Sequence, residues 1–314
     1  MYRIFDTTLD CEFPLPELAE SCEEDYSFSV KLGDPDLFDA SGFEKTFEWF
    51  NYSGERVCWC ERRADEYLYV FPRHARFHVS NNGVISCLLH ADSNAQMLRQ
   101  LLMNQIIPRY LASNGRLVLH ASAVTLENGR SVAFLGNSGV GKSTLASSFH
   151  RNGALLISDD CILLDPGENE VTAIGGFPGI RLFPDSLHAV FHETTGFTHY
   201  TPWSDKQQLI LKNEAGEVLS EPRPLNAIFL LDDPGEIEQG EAVCIEPVTG
   251  SAAMMAMIYC AFSLDPSDRQ MITHNFRNIG QAINERLGIY SLRYPRVHDR
   301  LPEVRAAVIM QTRP

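Results

Sequence analysis

The chain has 314 residues, 44% of them hydrophobic and 21% charged, which is typical of a globular protein with one large domain or two smaller ones. Its formal net charge of −15 argues against a nucleic-acid partner, because the overall field would repel phosphate groups. The first residues lack the features of a signal peptide and no long apolar stretch occurs, so we expect a cytoplasmic protein with no membrane partner.

The eight cysteines show no zinc-binding pattern. Cys58 and Cys60 are two residues apart and would share one face of a strand, but two thiols do not make a tetrahedral site. We therefore expect reduced thiols with structural roles.

The first third of the chain predicts a β-rich domain. Residues 1–40 are rich in acids, which could attract a basic partner or form a solvated face. Alternating patterns follow up to about residue 90, and Asn82 with Gly83 predicts a hairpin turn. No catalytic group of residues stands out here.

A helix is predicted next, capped by Asp92 or Ser93. Pro108 should end or kink it, and Asn114 with Gly115 should close the segment. We place the domain boundary here, with a β-rich N-terminal domain in residues 1–110 and a second domain in residues 111–314.

Two strand-like runs, LVLHASAVT and SVAFL, then flank Asn128 and Gly129. If those two residues form the turn of a hairpin, His120 lies opposite Asn137. His120 would then reach the loop that follows the second strand, or it could be a buried histidine satisfied by hydrogen bonds.

That loop is GNSGVGKST, placed between an apolar strand and a helical pattern. Glycines let successive backbone N–H groups turn toward a phosphate, and the helix N-terminus adds partial positive charge. Lys142 can reach the β- and γ-phosphates of a nucleotide, and the Ser143 hydroxyl can ligate Mg²⁺. The predicted nucleotide-binding residues are Gly136, Asn137, Ser138, Gly139, Val140, Gly141, Lys142, Ser143 and Thr144.

Two adjacent carboxylates, Asp159 and Asp160, end the next short strand. Nucleotide chemistry in open α/β sheets occurs at strand ends of this kind. One carboxylate can hold Mg²⁺ and the other can accept a proton from an attacking hydroxyl.

The remaining chain predicts a second hairpin around Pro166 and Gly167, further strands, and a short helix opening at Pro184. SAAMMAMIYCAF predicts a buried helix, and two more helices follow it. Arg181 lies near the predicted site, where a guanidinium could neutralise phosphate oxygens or could form an ordinary surface ion pair.

These residues together resemble a known family. LVLHASAV, GNSGVGKS and LLISDD resemble the catalytic core of the HPr serine kinase/phosphorylase family, which is related to ATP-dependent phosphoenolpyruvate carboxykinases. GFPGIRLFPDS and SLRYPRVHDRLPEVRAA look closer to HPr-kinase-like proteins of ribosomal peptide gene clusters, including the lasso peptide kinases, which phosphorylate a precursor peptide. The resemblance implies an α/β P-loop kinase core with mixed sheets, and it suggests a homo-oligomer.

The resemblance also implies roles. Asp159 would be the general base, Asp160 and Ser143 would position Mg²⁺, and His120 would orient or polarise groups near the γ-phosphate of ATP. The family's Glu-Ile-Arg-Gly motif is replaced by GGFPGIRL, which keeps only the arginine, and no signature for phosphorolysis is present. We therefore expect neither the reverse phosphorylase reaction nor HPr as the acceptor.

The leading functional prediction is an ATP-dependent kinase, a phosphotransferase acting on a serine or another hydroxyl of a peptide, protein or small molecule. The missing glutamate leaves a second hypothesis open, in which ATP binding switches a docking surface and little phosphate is transferred. An ABC-type or motor ATPase is disfavoured, because the chain has no LSGGQ-like signature and the two aspartates follow the loop too soon.

Overall fold

The computed structural model describes residues 1–50, 54–177, 179–191, 196–201, 204–211, 221–232, 240–283 and 286–313. The chain divides into two compact units, Met1–Gly115 with Ser263–Thr273, and Arg116–Phe262 with His274–Pro314. The chain combines helices with mixed sheets, so the expected α/β class is confirmed. Among the helices of the described ranges, none has the length and apolar character needed to cross a membrane. All eight cysteines are free thiols.

The first unit is built on a nine-stranded sheet in the order β3-β1-β2-β4-β9-β8-β7-β6-β5. The hairpin predicted at Asn82 and Gly83 is confirmed, because Val79 pairs with Ile85 and Gly83 has φ +81°. The strands are β1 (Tyr2–Ile4), β2 (Thr7–Cys11), β3 (Ala19–Glu20), β4 (Phe28–Leu32), β5 (Glu44–Phe50), β6 (Arg56–Arg63), β7 (Glu66–Phe71), β8 (Ala75–Val79) and β9 (Val84–Leu89), with a short 3₁₀ helix at Pro35–Phe38.

The helical segment after β9 corrects one prediction and decides between two alternatives of another. Its N-cap is Asn94, whose side chain accepts the N–H of Met97, rather than Asp92 or Ser93. Of the two alternatives at Pro108, an end or a kink, the end does not occur: the segment runs as α1 (Ala95–Leu101), a π turn (Leu102–Ile106) and α2 (Ile107–Ser113). The wider π turn accommodates the proline, which lacks an N–H and would crowd a regular helix. The predicted boundary at residue 110 lies within α2. The division into domains of residues 1–110 and 111–314 stays a prediction.

The second unit is built on a central mixed sheet in the order β10-β14-β15-β19-β12-β11-β13, with β21 beside β19 and β20 beside β21. A separate three-stranded sheet has the order β16-β18-β17. The strands are β10 (Leu117–Leu119), β11 (Ala121–Thr125), β12 (Ser131–Leu135), β13 (Leu155–Ser158), β14 (Ile162–Pro166), β15 (Val171–Gly175), β16 (Gly179–Leu182), β17 (Thr198–Thr201), β18 (Ser204–Ile210), β19 (Arg223–Leu231), β20 (Cys244–Pro247) and β21 (Gly288–Arg293).

The central sheet has a hydrophobic core on each face. Side chains alternate along β12, so Val132 and Phe134 enter one core while Ala133 and Leu135 enter the other. The first core also contains residues of α3, α4 and α7, and the second contains residues of α5 and α6. The helices are α3 (Lys142–Arg151), α4 (Pro184–Phe191), α5 (Gly250–Cys260), α6 (Arg269–Ala282) and α7 (Leu301–Gln311).

Helix α5 is less buried than its apolar sequence predicts. Ala253, Met257 and Cys260 are buried, but Met255 is 61% exposed and Tyr259 is 75% exposed. The prediction of a wholly buried helix is therefore wrong, because only one face of α5 packs on the sheet.

The hairpin of β11 and β12 forms in a register one residue away from the predicted one. Ala121 pairs with Leu135, and the N–H of Leu126 bonds to the carbonyl of Arg130 at 2.8 Å. The loop thus contains three residues ending in Gly129, which has φ +80°, instead of the two-residue turn that the sequence suggested. The predicted position of His120 opposite Asn137 is therefore wrong, and continuing the observed register would place it opposite Gly136.

Candidate active site

Three segments of the second unit meet at one edge of its central sheet. β12 ends at Leu135, β11 begins beside it at Ala121, and β13 ends at Ser158, which pairs with Ala123. Because β12 and β13 both run antiparallel to β11, their carboxyl ends lie at the same edge. This topology brings the glycine-rich loop, His120 and the aspartate pair together.

The loop after β12 has a backbone that requires glycine. Gly136, Gly139 and Gly141 have φ values of +144°, +85° and +97°. A Cβ on Gly136 would lie 2.9 Å from the carbonyl oxygen of Leu231, whereas a Cβ on Gly139 would meet nothing within 4 Å. Gly136 therefore lets the loop approach β19 closely, and Gly139 lies where the loop faces open space.

Lys142 begins helix α3 and is buried, with 5% of its surface exposed. Its Nζ donates to the carbonyl oxygens of Gly136 at 2.8 Å and of Asn137 at 2.9 Å, so the ammonium lies against the loop. Burial lowers the pKa of Lys142 to about 8, while Cys260 and Asp159 oppose that shift and Lys206 adds to it. An anion bound by the loop would stabilise the ammonium form.

Two of the nine predicted nucleotide-binding residues have side chains that contact other parts of the protein. Val140 is buried in the core, and the Thr144 hydroxyl donates to Ser186 of α4 at 3.1 Å. Asn137 and Ser138 are exposed, while Ser143 is half-buried in the first turn of α3. The side chains of Val140 and Thr144 therefore serve the packing of the loop.

Asp159 is held rigidly at the end of β13. Its Oδ1 accepts the Ser122 hydroxyl at 2.5 Å and the N–H of Asp160 at 3.1 Å, and its Oδ2 accepts the N–H of Arg181 at 3.1 Å. The residue is only 2% exposed. A carboxylate has about four lone-pair sites, so three donors leave room for one more at Oδ2.

Replacing Ser122 with alanine is expected to lower the free energy of unfolding by about 2 kcal/mol, because a buried carboxylate loses a charge-assisted hydrogen bond. Ser131→Ala is the matched control, since Ser131 is equally buried but shares its bond with the neutral Thr125 hydroxyl, and we expect a loss of about 1 kcal/mol. Urea unfolding of both variants checks this. Equal losses would show that the bond to Asp159 has no special strength.

Asp160 has a strained backbone, with φ +78° in the region that favours glycine. Its carboxylate pairs with the guanidinium of Arg181, which is only 4% exposed. Its carbonyl oxygen lies 2.8 Å from Nδ1 of His120. Because a carbonyl can only accept, Nδ1 carries the proton, and Nε2 is the basic nitrogen of the neutral ring.

The structure therefore brings together the loop, His120, Asp159, Asp160 and Arg181. It adds residues that the sequence reasoning missed. Ser122 lies two positions after His120, so strand alternation could have indicated it. The other residues belong to no recognisable sequence motif. Cys260 lies beside the N–H of Gly136, and burial raises the pKa of its thiol. Lys206 lies near Lys142, and Arg296 stacks on Tyr294 next to Gly141.

Few protein groups at this site could bind a metal ion. In the parts of the chain that the structure describes, no three or more His, Cys, Asp or Glu residues form a metal-binding group. Mg²⁺ usually takes one or two protein oxygens and completes its shell with water and phosphate oxygens. The Ser143 hydroxyl and the Asp160 carboxylate fit that pattern, although the carboxylate is paired with Arg181 in this structure.

Comparisons with known proteins give little beyond this geometry. No protein-family model matches the chain, and no curated protein matches it. One solved structure that matches is the Hpr(Ser) kinase/phosphatase from Coxiella burnetii, with 12% sequence identity and a TM-score of 0.31, covering 62% of this chain and 95% of that chain. This is a distant likeness only, so a functional assignment depends on the residues of the site.

Proposed function

We propose that this protein is an ATP-dependent kinase that transfers the γ-phosphate to a hydroxyl group. The observation that carries the proposal is the meeting of the Lys142 loop and the Asp159 carboxylate at one sheet edge. A phosphate cradle beside a fixed proton acceptor is the minimum that phosphoryl transfer to a hydroxyl requires.

Nucleotide binding is the task of the loop and of the helix behind it. The backbone N–H groups from Gly136 to Ser143 would hold the phosphates at the N-terminus of α3, and the Lys142 ammonium would leave the loop carbonyls for the β- and γ-phosphates. Ser143 and Asp160 would hold Mg²⁺, which supplies charge neutralisation when bound.

Transfer requires one proton acceptor and several positive groups. The acceptor oxygen forms a bond to the γ-phosphorus, the bond from that phosphorus to the β–γ bridging oxygen breaks, and ADP leaves with the electron pair. The hydroxyl proton passes to Asp159, whose Oδ2 has acceptor capacity left. Arg181 would neutralise the phosphoryl oxygens, and His120, whose Nε2 accepts hydrogen bonds, would orient donor groups near the γ-phosphate.

The acceptor is proposed as a serine or another hydroxyl of a peptide, a protein or a small molecule. A precursor peptide of the lasso type is one candidate, supported only by the resemblance of GFPGIRLFPDS and the C-terminal segment to kinases of such clusters. Assembly into a homo-oligomer rests on the same resemblance.

The experiment that tests the proposal is transfer of labelled γ-phosphate from ATP to a size-fractionated extract of the source organism. A labelled species that forms only with active enzyme supports the kinase, and its size distinguishes a peptide, a protein or a metabolite. Label released only as inorganic phosphate, or label that stays on ATP, contradicts it. Those results would favour a nucleotide-gated binding protein, the reading that the missing glutamate keeps open.

ATP binding is expected to weaken about tenfold between pH 7 and pH 9, because Lys142, with its pKa lowered to about 8, loses its charge over that range. Bound phosphate raises the pKa of the ammonium, so binding near pH 8 should take up protons. Calorimetric titration at pH 8 in two buffers of different ionisation enthalpy measures that uptake. Unchanged affinity at pH 9, with no proton uptake, would contradict the assignment of Lys142.

A further inference from the structure

Lys206 of β18 is a basic residue that no motif of the sequence singles out. In the β16–β18 pair, Arg181 lies opposite Gln208, and Lys206 is two residues from Gln208 on the same strand. Directly opposed residues share a face of a sheet, and so do residues two positions apart. Lys206 therefore projects from the same face as Arg181.

The surroundings of the Lys206 ammonium are those of the candidate active site. Its Nζ lies 5.2 Å from the ring centroid of Phe183, the residue that follows β16. Burial lowers the pKa of Lys206, Arg181 lowers it further, and Asp159 opposes the shift. Lys206 in turn lowers the pKa of Lys142. The half-buried ammonium is thus within electrostatic range of the loop lysine and of the aspartate.

The cationic groups of this cluster repel one another, because Lys206 lowers the pKa of Lys142 and Arg181 lowers the pKa of Lys206. Asp159 and Asp160 are already engaged by Ser122, Arg181 and backbone N–H groups. An additional anion would relieve the repulsion among the cations, which are Lys142, Arg181 and Lys206.

We propose that Lys206 contacts the terminal phosphate of bound ATP and thereby gives the site its preference for ATP over ADP. The inference rests on the proposed function and names a further residue that contacts the γ-phosphate. The backbone of the loop engages phosphates that ATP and ADP share, and Lys142 reaches the β-phosphate of both as well as the γ-phosphate of ATP. Lys206 approaches from the separate β16–β18 sheet, on the side of Asp159 and Arg181, where the terminal phosphate would lie.

The test compares the affinities of ATP and ADP for the full chain and for Lys206→Met, by calorimetry with Mg²⁺. We expect ATP affinity to fall about tenfold and ADP affinity to change less than about twofold, since a charge-assisted contact is lost only with ATP. Lys206→Arg should keep most of the preference for ATP. Lys45→Gln, which removes a half-exposed charge in the first unit, is the control and should change neither affinity.

The outcomes separate this inference from the function on which it rests. Replacing a half-buried ammonium by an apolar side chain of similar length usually preserves folding, and Lys206→Arg provides a second measurement if Lys206→Met does not fold. An equal loss for ATP and ADP, or no loss, in Lys206→Met would overturn the role of Lys206 while leaving the kinase proposal intact. A wild-type chain that binds neither nucleotide would overturn both.

Discussion

Replacing Asp159 with asparagine is expected to reduce phosphoryl transfer about 10³-fold, because general-base assistance is lost. ATP affinity should stay within a few fold, since the phosphates are held by the loop rather than by this side chain. The measurement is the initial rate of labelled phosphate transfer to the acceptor found in the extract, beside calorimetric ATP binding by the same variant.

The asparagine also changes the local hydrogen bonds, and this requires a control. An amide has one acceptor oxygen, so its NH₂ group would face either the N–H of Arg181 or the donors at Oδ1. Some loss of stability is expected, and the rate must be measured well below the unfolding transition. Asp160→Asn is the matched variant, expected to weaken the Mg²⁺ dependence of transfer instead. Full activity in Asp159→Asn with an inactive Asp160→Asn would transfer the base role to Asp160.

Replacing Lys142 with methionine is expected to abolish measurable ATP binding, with a loss of at least about 100-fold in affinity, because a buried ammonium is the main positive group of the loop. Calorimetry or displacement of a fluorescent nucleotide measures this. Folding should persist, since a methionine fills a similar volume, although two loop carbonyls lose a donor.

The control for Lys142 comes from within the same motif. Thr144 belongs to the predicted nucleotide-binding set, but its hydroxyl bonds to Ser186. Thr144→Val should therefore change ATP affinity by less than about threefold, while costing about 1 kcal/mol of stability. Equal losses of affinity in the two variants would indicate a general disruption of the loop, and would remove the special role of Lys142.

Much of the local structure was predictable because it depends on short-range chemistry. Glycines at 83 and 129 have positive φ and mark hairpins, and Gly153, with φ +93°, follows the C-cap of α3. Apolar runs correctly indicated the strands on both sides of the phosphate loop. The predictions were wrong where contacts with other parts of the fold selected the local conformation. The N-cap at Asn94 and the one-residue change of register in the β11–β12 hairpin are both choices among local conformations of similar energy.

The sequence by itself determined the chemistry of the loop, since the order of glycines, lysine and hydroxyl residues between a strand and a helix specifies a phosphate cradle. It also placed the aspartate pair at a strand end. Only the tertiary structure decided what each group contacts. Ser122 reaches Asp159 because β11 lies between β12 and β13, and Lys206 shares a sheet face with Arg181 because β16 pairs with β18 in one register. Pairings between strands far apart in the chain depend on the burial of whole sheets, and that information is not contained in any short motif.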